Sequence, residues 1–368
     1  MSTPLRVLVV TVVHDPRDAR ILHREIAALL EAGHSVTYVA PFSSENVPPP
    51  PGVTAIDVPR ATGRRRFTAI TRARRVVRRE APHHDLVLLH DPELLATVVG
   101  VQAPTVVWDV HEDTAAALSL KSWLPSSLHR ATAAAIYGVE RQAERRVRLL
   151  LAEEGYRDRF RREHPVVPNS TVTPEAVAPS GDERVVYLGT LSVARGVREM
   201  VELGRLLADT PLTVHLIGPA DEPSTEILLS AVGRGWIEWH GFLPNDQALE
   251  LVSGALAGLS LLHDEPNYRH SRPTKVIEYM AYGVPVITTP TPPSRALVER
   301  VECGYVVGFG DARAAADAVL ELLADPVERQ AKADRGRETA QRDHDWRRDG
   351  AGFVRTLEAW VAEDRSTT

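Results

Sequence analysis

The chain alternates short apolar runs with longer helix-patterned stretches, and it does so twice, on either side of a proline-rich break. Leu5–Val13, Ser35–Ala40, Leu86–His90 and Thr105–Asp109 read as strands in the first half. Between the first two, Leu22, Ile26 and Leu29 recur at helical spacing, and Gly33 closes the helix. Asp15-Pro16-Arg17-Asp18 reads as the start of that helix, with Asp15 as cap, Pro16 in the first helical position and Asp18 in the first turn. His164 to Asp182 then carries four prolines among Ser and Thr with no strong period, which is linker chemistry. Beyond it the theme restarts, with strands expected at Val185–Gly189, Thr213–Gly218, Ile237–Trp239, Leu259–His263 and Val286–Thr289. From Asp311 onward the pattern is helical. Two strand–helix arrays joined by a linker predict an α/β protein of two doubly wound, Rossmann-like domains facing a central cleft. The expected division is 1–168, a linker over 169–182, a second domain over 183–345, and a last helix over 346–368 returning to the first domain.

At 368 residues there is chain enough for two cores. The single cysteine, Cys303, excludes an intrachain disulfide and fits a reducing compartment. The apolar run Val7–Val13 is too short for a signal peptide, and no stretch reaches the length of a membrane span. A cytoplasmic protein is expected, free or peripheral at the inner face of the plasma membrane. A net charge of −6 argues against a nucleic-acid binder. Arg60 to Arg79, however, holds nine arginines and no acid, and reads either as a surface for an anionic membrane or as a solvated helix face with a loop. Only three of the 43 basic residues are lysines, Lys121, Lys275 and Lys332, so a lysine marks a place where a compact point charge suits better than a planar fork.

Ligands of open α/β sheets bind beyond the carboxyl ends of the strands. After the first strand comes Thr11-Val12-Val13-His14-Asp15-Pro16, without the G-x-G-x-x-G that a nicotinamide dinucleotide requires, which disfavours a two-domain dehydrogenase. His14 and Asp15 are candidate acceptor-side residues in this loop. Another strand ends in Asp109-Val110-His111-Glu112-Asp113. His111 can orient or deprotonate a hydroxyl there, with Glu112 beside it. A metal site is disfavoured because consecutive side chains of an extended segment diverge. In the second half, Arg195-Gly196 falls where a helix begins, a setting that suits phosphate. Pro266 to Pro285 is the most informative segment. Thr274 or Ser271 can cap its helix, Lys275 sits in the first turn against the helix dipole, and Glu278 follows on nearly the same face. A lysine for phosphate and a carboxylate for sugar hydroxyls are what a nucleotide needs.

The run Lys275-Val-Ile-Glu278-Tyr-Met-Ala-Tyr-Gly283-Val-Pro285 resembles the donor signature of glycosyltransferase family 4, retaining enzymes of the GT-B fold. Asp15-Pro16-Arg17, Asp109 to Glu112, Pro168-Asn169, Arg195-Gly196 and Gly241-Phe242 fall in the order that the family implies. The resemblance implies transfer of a sugar from a nucleotide diphosphate sugar to an acceptor hydroxyl, without metal or other cofactor. It implies that Glu278 binds the donor ribose, that Lys275 and Arg195 hold the diphosphate, and that His111 lies near the transferred sugar. The turn from Gly241 and Phe242 to Pro244 would meet the nucleobase. Two positions depart from the pattern. His270 stands where the family's first glutamate contacts the donor sugar, and Thr190 replaces the arginine common after the strand glycine. The missing glutamate keeps open a non-catalytic nucleotide-sugar binder, and the fold keeps open a sugar-nucleotide epimerase.

Overall fold

The computed structural model describes residues 3–101, 105–111, 129–181, 183–269 and 273–367. The chain divides into two compact units, Met1–Asn169 with Trp346–Thr368, and Ser170–Asp345. Each unit contains one parallel six-stranded sheet.

In unit 1 the strands are β1 (Arg6–Val10), β2 (Ser35–Ala40), β3 (Val53–Asp57), β4 (Leu86–Leu89), β5 (Val106–Val110) and β6 (Arg148–Leu151), ordered β3-β2-β1-β4-β5-β6. In unit 2 they are β7 (Arg184–Leu188), β8 (Thr213–Ile217), β9 (Ile237–Gly241), β10 (Ala257–Ser260), β11 (Val286–Thr288) and β12 (Gly304–Val306), ordered β12-β11-β10-β7-β8-β9. Counted within its own unit, each order is 3-2-1-4-5-6, so both sheets have the doubly wound topology with its reversal beside the first strand.

The strands read as continuous apolar runs because both faces of each sheet are covered. Leu8, Val10, Val87 and Leu89 face one core of unit 1, shared with Ala69, Ala73 and Val77 of the helix Arg66–Glu80. Val7, Val9, Leu86 and Leu88 face the other, which takes in Trp346, Phe353, Leu357 and Val361 of the helix Trp346–Thr367. That last helix is fastened at its start, where the Trp346 indole donates to the Arg24 carbonyl at 3.2 Å. In unit 2, Val185, Tyr187, Leu216 and Leu259 face one core, and Val186 and Val286 face another with Ile277, Tyr279 and Met280.

Three strands were absent from the sequence reading: β3, β6 and β12. All three lie at sheet edges. The edge strand β9 was legible, but it runs on to Gly241. The first helix also differs from expectation. It opens at Ile21 as one π-helical stretch to Ile26 and continues as α-helix over Ala27–Glu31. Asp18, not Asp15, caps it, its carboxylate accepting from the Arg20 and Ile21 amides at 2.9 and 3.1 Å. Asp15 instead folds onto Arg17, accepting from that residue's amide and guanidinium. The delayed start places Arg20 at the helix entrance, beneath the sheet end.

Candidate functional site

Unit 1 gathers its polar side chains at the carboxyl ends of β1, β4 and β5. Asp109 is the hub, fully buried on β5. The Arg20 guanidinium donates to both of its oxygens, at 2.7 and 2.6 Å, and also to the Val167 carbonyl and the Asn169 side chain. Burial alone would raise the Asp109 carboxyl. Arg20, with hydrogen bonds from His111 and His90, overcomes it and holds Asp109 well below the usual carboxylate range. Glu25, also fully buried, lies 3.0 Å from the same guanidinium. Burial and the nearby Asp109 charge push its carboxyl well above the ordinary range. One cation thus serves two carboxyls, and burial with the Asp109 charge pushes the second towards its protonated form. His90 lies between them, 3.4 Å from Asp109 and 3.6 Å from Glu25, and burial favours its neutral form.

From this hub a chain of rings leads to the surface. His111 Nδ1 lies 2.9 Å from Asp109 Oδ2. An ionised carboxylate only accepts, so Nδ1 carries the proton and Nε2 of the neutral ring presents a lone pair. That Nε2 lies 3.1 Å from His14 Nε2, which in turn is 3.3 Å from Asp91 Oδ1. Asp91 is fixed by the Val12 and Val13 amides and the Thr11 hydroxyl. The arrangement Asp109–His111–His14–Asp91 is that of an oriented base beside a second imidazole.

His14 and His111 therefore do meet, whereas Asp15 is committed to Arg17. Glu112 lies outside the described residues. The expectation that side chains of the Asp109 segment diverge holds for neighbours only. Asp109 and His111, two apart, share a face, and His90 joins them from just past the end of β4. Arg20 already neutralises the Asp109 carboxylate, so this triad offers a cation little net charge. Sequence reasoning missed Arg20, Glu25, His90 and Asp91. The one signal for the last two was their place directly after β4, where ligand-facing residues of such sheets lie.

Unit 2 builds its cluster from β7, the turn that follows it, and the helix Thr274–Ala281. Every residue from Lys275 to Ala281 is buried. The Lys275 ammonium sits 3.8 Å above the centre of the Tyr187 ring. Burial, reinforced by the charge of Arg195, holds it well below the ordinary lysine range, and Glu278 acts in the opposite sense. Arg195 ends a 3-10 turn, Val193–Arg195, with the Tyr187 and Tyr268 hydroxyls in hydrogen-bonding range. Tyr187 also donates to the Thr190 carbonyl at 2.8 Å, so one tyrosine underlies both cations.

Two glycines let the backbone close over them. Gly196 has φ +84°, and a Cβ there would lie 2.2 Å from the Leu261 carbonyl oxygen. Gly189 has φ +122°, and its Cβ would come within 3.4 Å of Lys275 Nζ. Like-charged Lys275 and Arg195, half or wholly out of water beside a helix N-terminus, form a place where a multiply charged anion is favoured. Thr274 opens the helix half-exposed, and Glu278 is buried one turn beyond it. At the end of β9, Gly241 takes φ +65° and its carbonyl accepts from the Gly218 amide, leaving Phe242 46% exposed. His270 lies outside the described residues.

Comparison with known proteins agrees with this architecture. A sucrose-phosphate synthase from Thermosynechococcus elongatus superposes with a TM-score of 0.77 at 16% identity, covering 98% of this chain and 100% of that one. HepE from Anabaena in complex with UDP-glucose gives 0.68 at 12%, covering 96% and 100%. WaaG, a glycosyltransferase involved in lipopolysaccharide biosynthesis, gives 0.65 at 15%, covering 92% and 95%. The fold is therefore that of the GT-B glycosyltransferases. Residues 182–325, within unit 2, match the family model described as glycosyl transferases group 1. No protein of curated function matches the chain by sequence.

Proposed function

We propose that the protein is a retaining glycosyltransferase of family 4 that moves a sugar, a hexose by preference, from a nucleotide diphosphate sugar to an acceptor hydroxyl. The observation that carries this reading is the buried Lys275 beside Arg195, with Glu278 one turn further along the same helix. Lys275 and Arg195 take the donor diphosphate, Glu278 the ribose, and the turn at Gly241 and Phe242 the base. As the anomeric bond breaks, negative charge gathers on the leaving diphosphate. Two cations and a helix N-terminus stabilise it without a divalent metal, each strong donor contributing about 3 kcal/mol. The structures of HepE with UDP and with UDP-glucose make uridine diphosphate sugars the first donors to try.

In unit 1, His111 receives or orients the acceptor hydroxyl through Nε2, its tautomer fixed by Asp109. Arg64, Arg65, Arg66, Arg72, Arg75, Arg78 and Arg79 are exposed around Phe67, itself 81% exposed. That face supports peripheral contact with an anionic membrane from the cytoplasmic side, and hence a lipid-borne or envelope glycan as acceptor. Among the described residues no helix is long and apolar enough to cross a membrane.

The test is a melting-temperature series with UDP-, GDP-, dTDP- and ADP-sugars in chelator, followed by turnover with the sugar that binds. A ligand of the folded state alone raises the melting temperature. Stabilisation by one nucleotide sugar, lost in Glu278→Ala and Lys275→Ala, supports the donor site. Conversion of the free donor to its epimer without acceptor would replace transfer by epimerisation. Binding with no turnover towards any acceptor would leave a nucleotide-sugar binder.

A further inference from the structure

A second cluster of metal-ligand type lies on unit 2 away from Lys275, at the open edge of its sheet. His215 is in β8, and Glu238 and His240 are in the edge strand β9. His215 pairs directly with Glu238. Between Leu216 and Ile217 the register then slips, so that Ile217 faces Gly241 and His240 is the extra residue of a bulge. A bulge re-aims a side chain, and this one turns His240 towards His215. The three donor atoms form a compact triangle. His215 Nδ1 lies 3.0 Å from His240 Nε2, and Glu238 Oε2 lies 3.4 Å from the first and 3.9 Å from the second.

Those lengths bracket the edge of a tetrahedron around zinc, about 3.3 Å for ligands at about 2.0–2.1 Å. Two imidazoles and a carboxylate are also the donor types that a zinc-class ion selects. Access is open. The Glu238 side chain is 57% exposed, that of His240 23%, and that of His215 11%, so a fourth position is left for water.

The two rings are nearly parallel, 11° apart with centroids at 5.2 Å, and one ring N–H donates to the other ring's nitrogen. We infer that this triad, His215 Nδ1, Glu238 and His240 Nε2, binds one divalent ion of the zinc class. On binding, the shared proton moves to the far nitrogen of its own ring. A small rotation of the rings then brings both lone pairs onto the ion with the Glu238 carboxylate. The ion ties β9 to β8 immediately before the turn at Gly241, and so sets the stiffness of that turn. It is structural or regulatory, and stands independently of the transfer chemistry.

The contrast with the buried triad of unit 1 is one of charge. There Arg20 occupies the carboxylate, whereas among the described residues no arginine or lysine is ion-paired with Glu238.

The experiment is titration of untagged, chelator-treated full-length protein with Zn2+ alone, followed by calorimetry, with Co2+ as a spectroscopic stand-in. One Zn2+ per chain is expected, with ligand-field absorption of tetrahedral type for Co2+. Affinity should fall by more than about tenfold in both His240→Ala and Glu238→Gln. It should be unchanged in His111→Ala, which removes a member of the buried triad. Metal-free melting curves of the β9 variants, matching wild type, establish that they fold. Absence of uptake by the wild type, uptake unaltered in His240→Ala, or loss in His111→Ala instead would overturn the assignment.

Discussion

Arg20 and Asp109 face each other through two parallel hydrogen bonds of 2.7 and 2.6 Å, with both side chains withdrawn from solvent. The pair joins the entrance of the first helix to the end of β5, and His111 takes its orientation from it. Removing only the cation would leave Asp109 buried with no compensating charge. Arg20→Met should therefore destabilise unit 1 by about 3–5 kcal/mol. Urea unfolding of the two proteins measures this directly. A loss below about 1 kcal/mol would mean that Asp109 finds another partner.

Glu25 yields a prediction in pH. Its carboxyl is raised in the folded protein, so the folded state holds a proton that the unfolded chain gives up within the ordinary glutamate range. The stabilisation from that proton is complete below the unfolded value and is lost as pH rises towards the folded one. Glu25→Gln keeps the shape without the titration. Relative to wild type, the variant should gain stability as pH is raised from about 5 to 8. Parallel stability profiles for the two proteins would show that Glu25 is ionised at all these pH values.

Lys275 titrates in the opposite sense. Burial and Arg195 depress it, and a bound diphosphate would raise it again. Between the two values the binding of UDP should take up a proton, and affinity should fall as pH rises through that window. Calorimetry in buffers of different ionisation enthalpy reads the uptake. In Lys275→Met the proton count should drop to near zero and turnover should fall by on the order of 100-fold. An unchanged proton count would assign the titration to another group.

Gly196 is a steric test of the same site. At φ +84° and with the Leu261 carbonyl 2.2 Å from any Cβ, alanine forces the turn to move. Gly196→Ala should cost about 1–3 kcal/mol of stability and weaken UDP binding, because Arg195 is the preceding residue. A variant that binds UDP as tightly as wild type would exclude Arg195 from the diphosphate site.

The arginine-rich helix gives the last prediction. Phe67→Ser with Arg72→Glu and Arg75→Glu should abolish co-sedimentation with vesicles containing anionic lipid, while leaving the melting temperature within about 2 °C of wild type, since all three positions are exposed. Equal sedimentation of variant and wild type would remove the membrane from the functional reading.

Much of this molecule was legible because its central strands are buried on both faces and announce themselves as apolar runs. The edge strands did not. Val53–Asp57 has no fully buried residue, Gly304–Val306 is three residues long, and Arg148–Leu151 is a four-residue run behind the charged turn Glu144-Arg145-Arg146. In the site, Lys275 and Glu278 stood out through their spacing on one helix. Arg20 and Glu25 come from one segment and His90 and Asp91 from another, and only the folding of the sheet brings them to Asp109 and His14. A carboxyl pushed towards its protonated form by burial and by a neighbouring carboxylate leaves no mark in sequence.

The helix Trp346–Thr367 completes the core of unit 1, yet the whole of unit 2 precedes it in the chain. On the ribosome, Val7, Val9 and Leu88 must wait for their covering helix until some 176 residues of another folding unit, Ser170–Asp345, have emerged. Unit 2 is contiguous and can close first, so assembly should run against the usual N-terminal-first order. A nascent chain stalled before Trp346 would then present a finished second unit and an unfinished first one, the form in which chaperones would meet this protein.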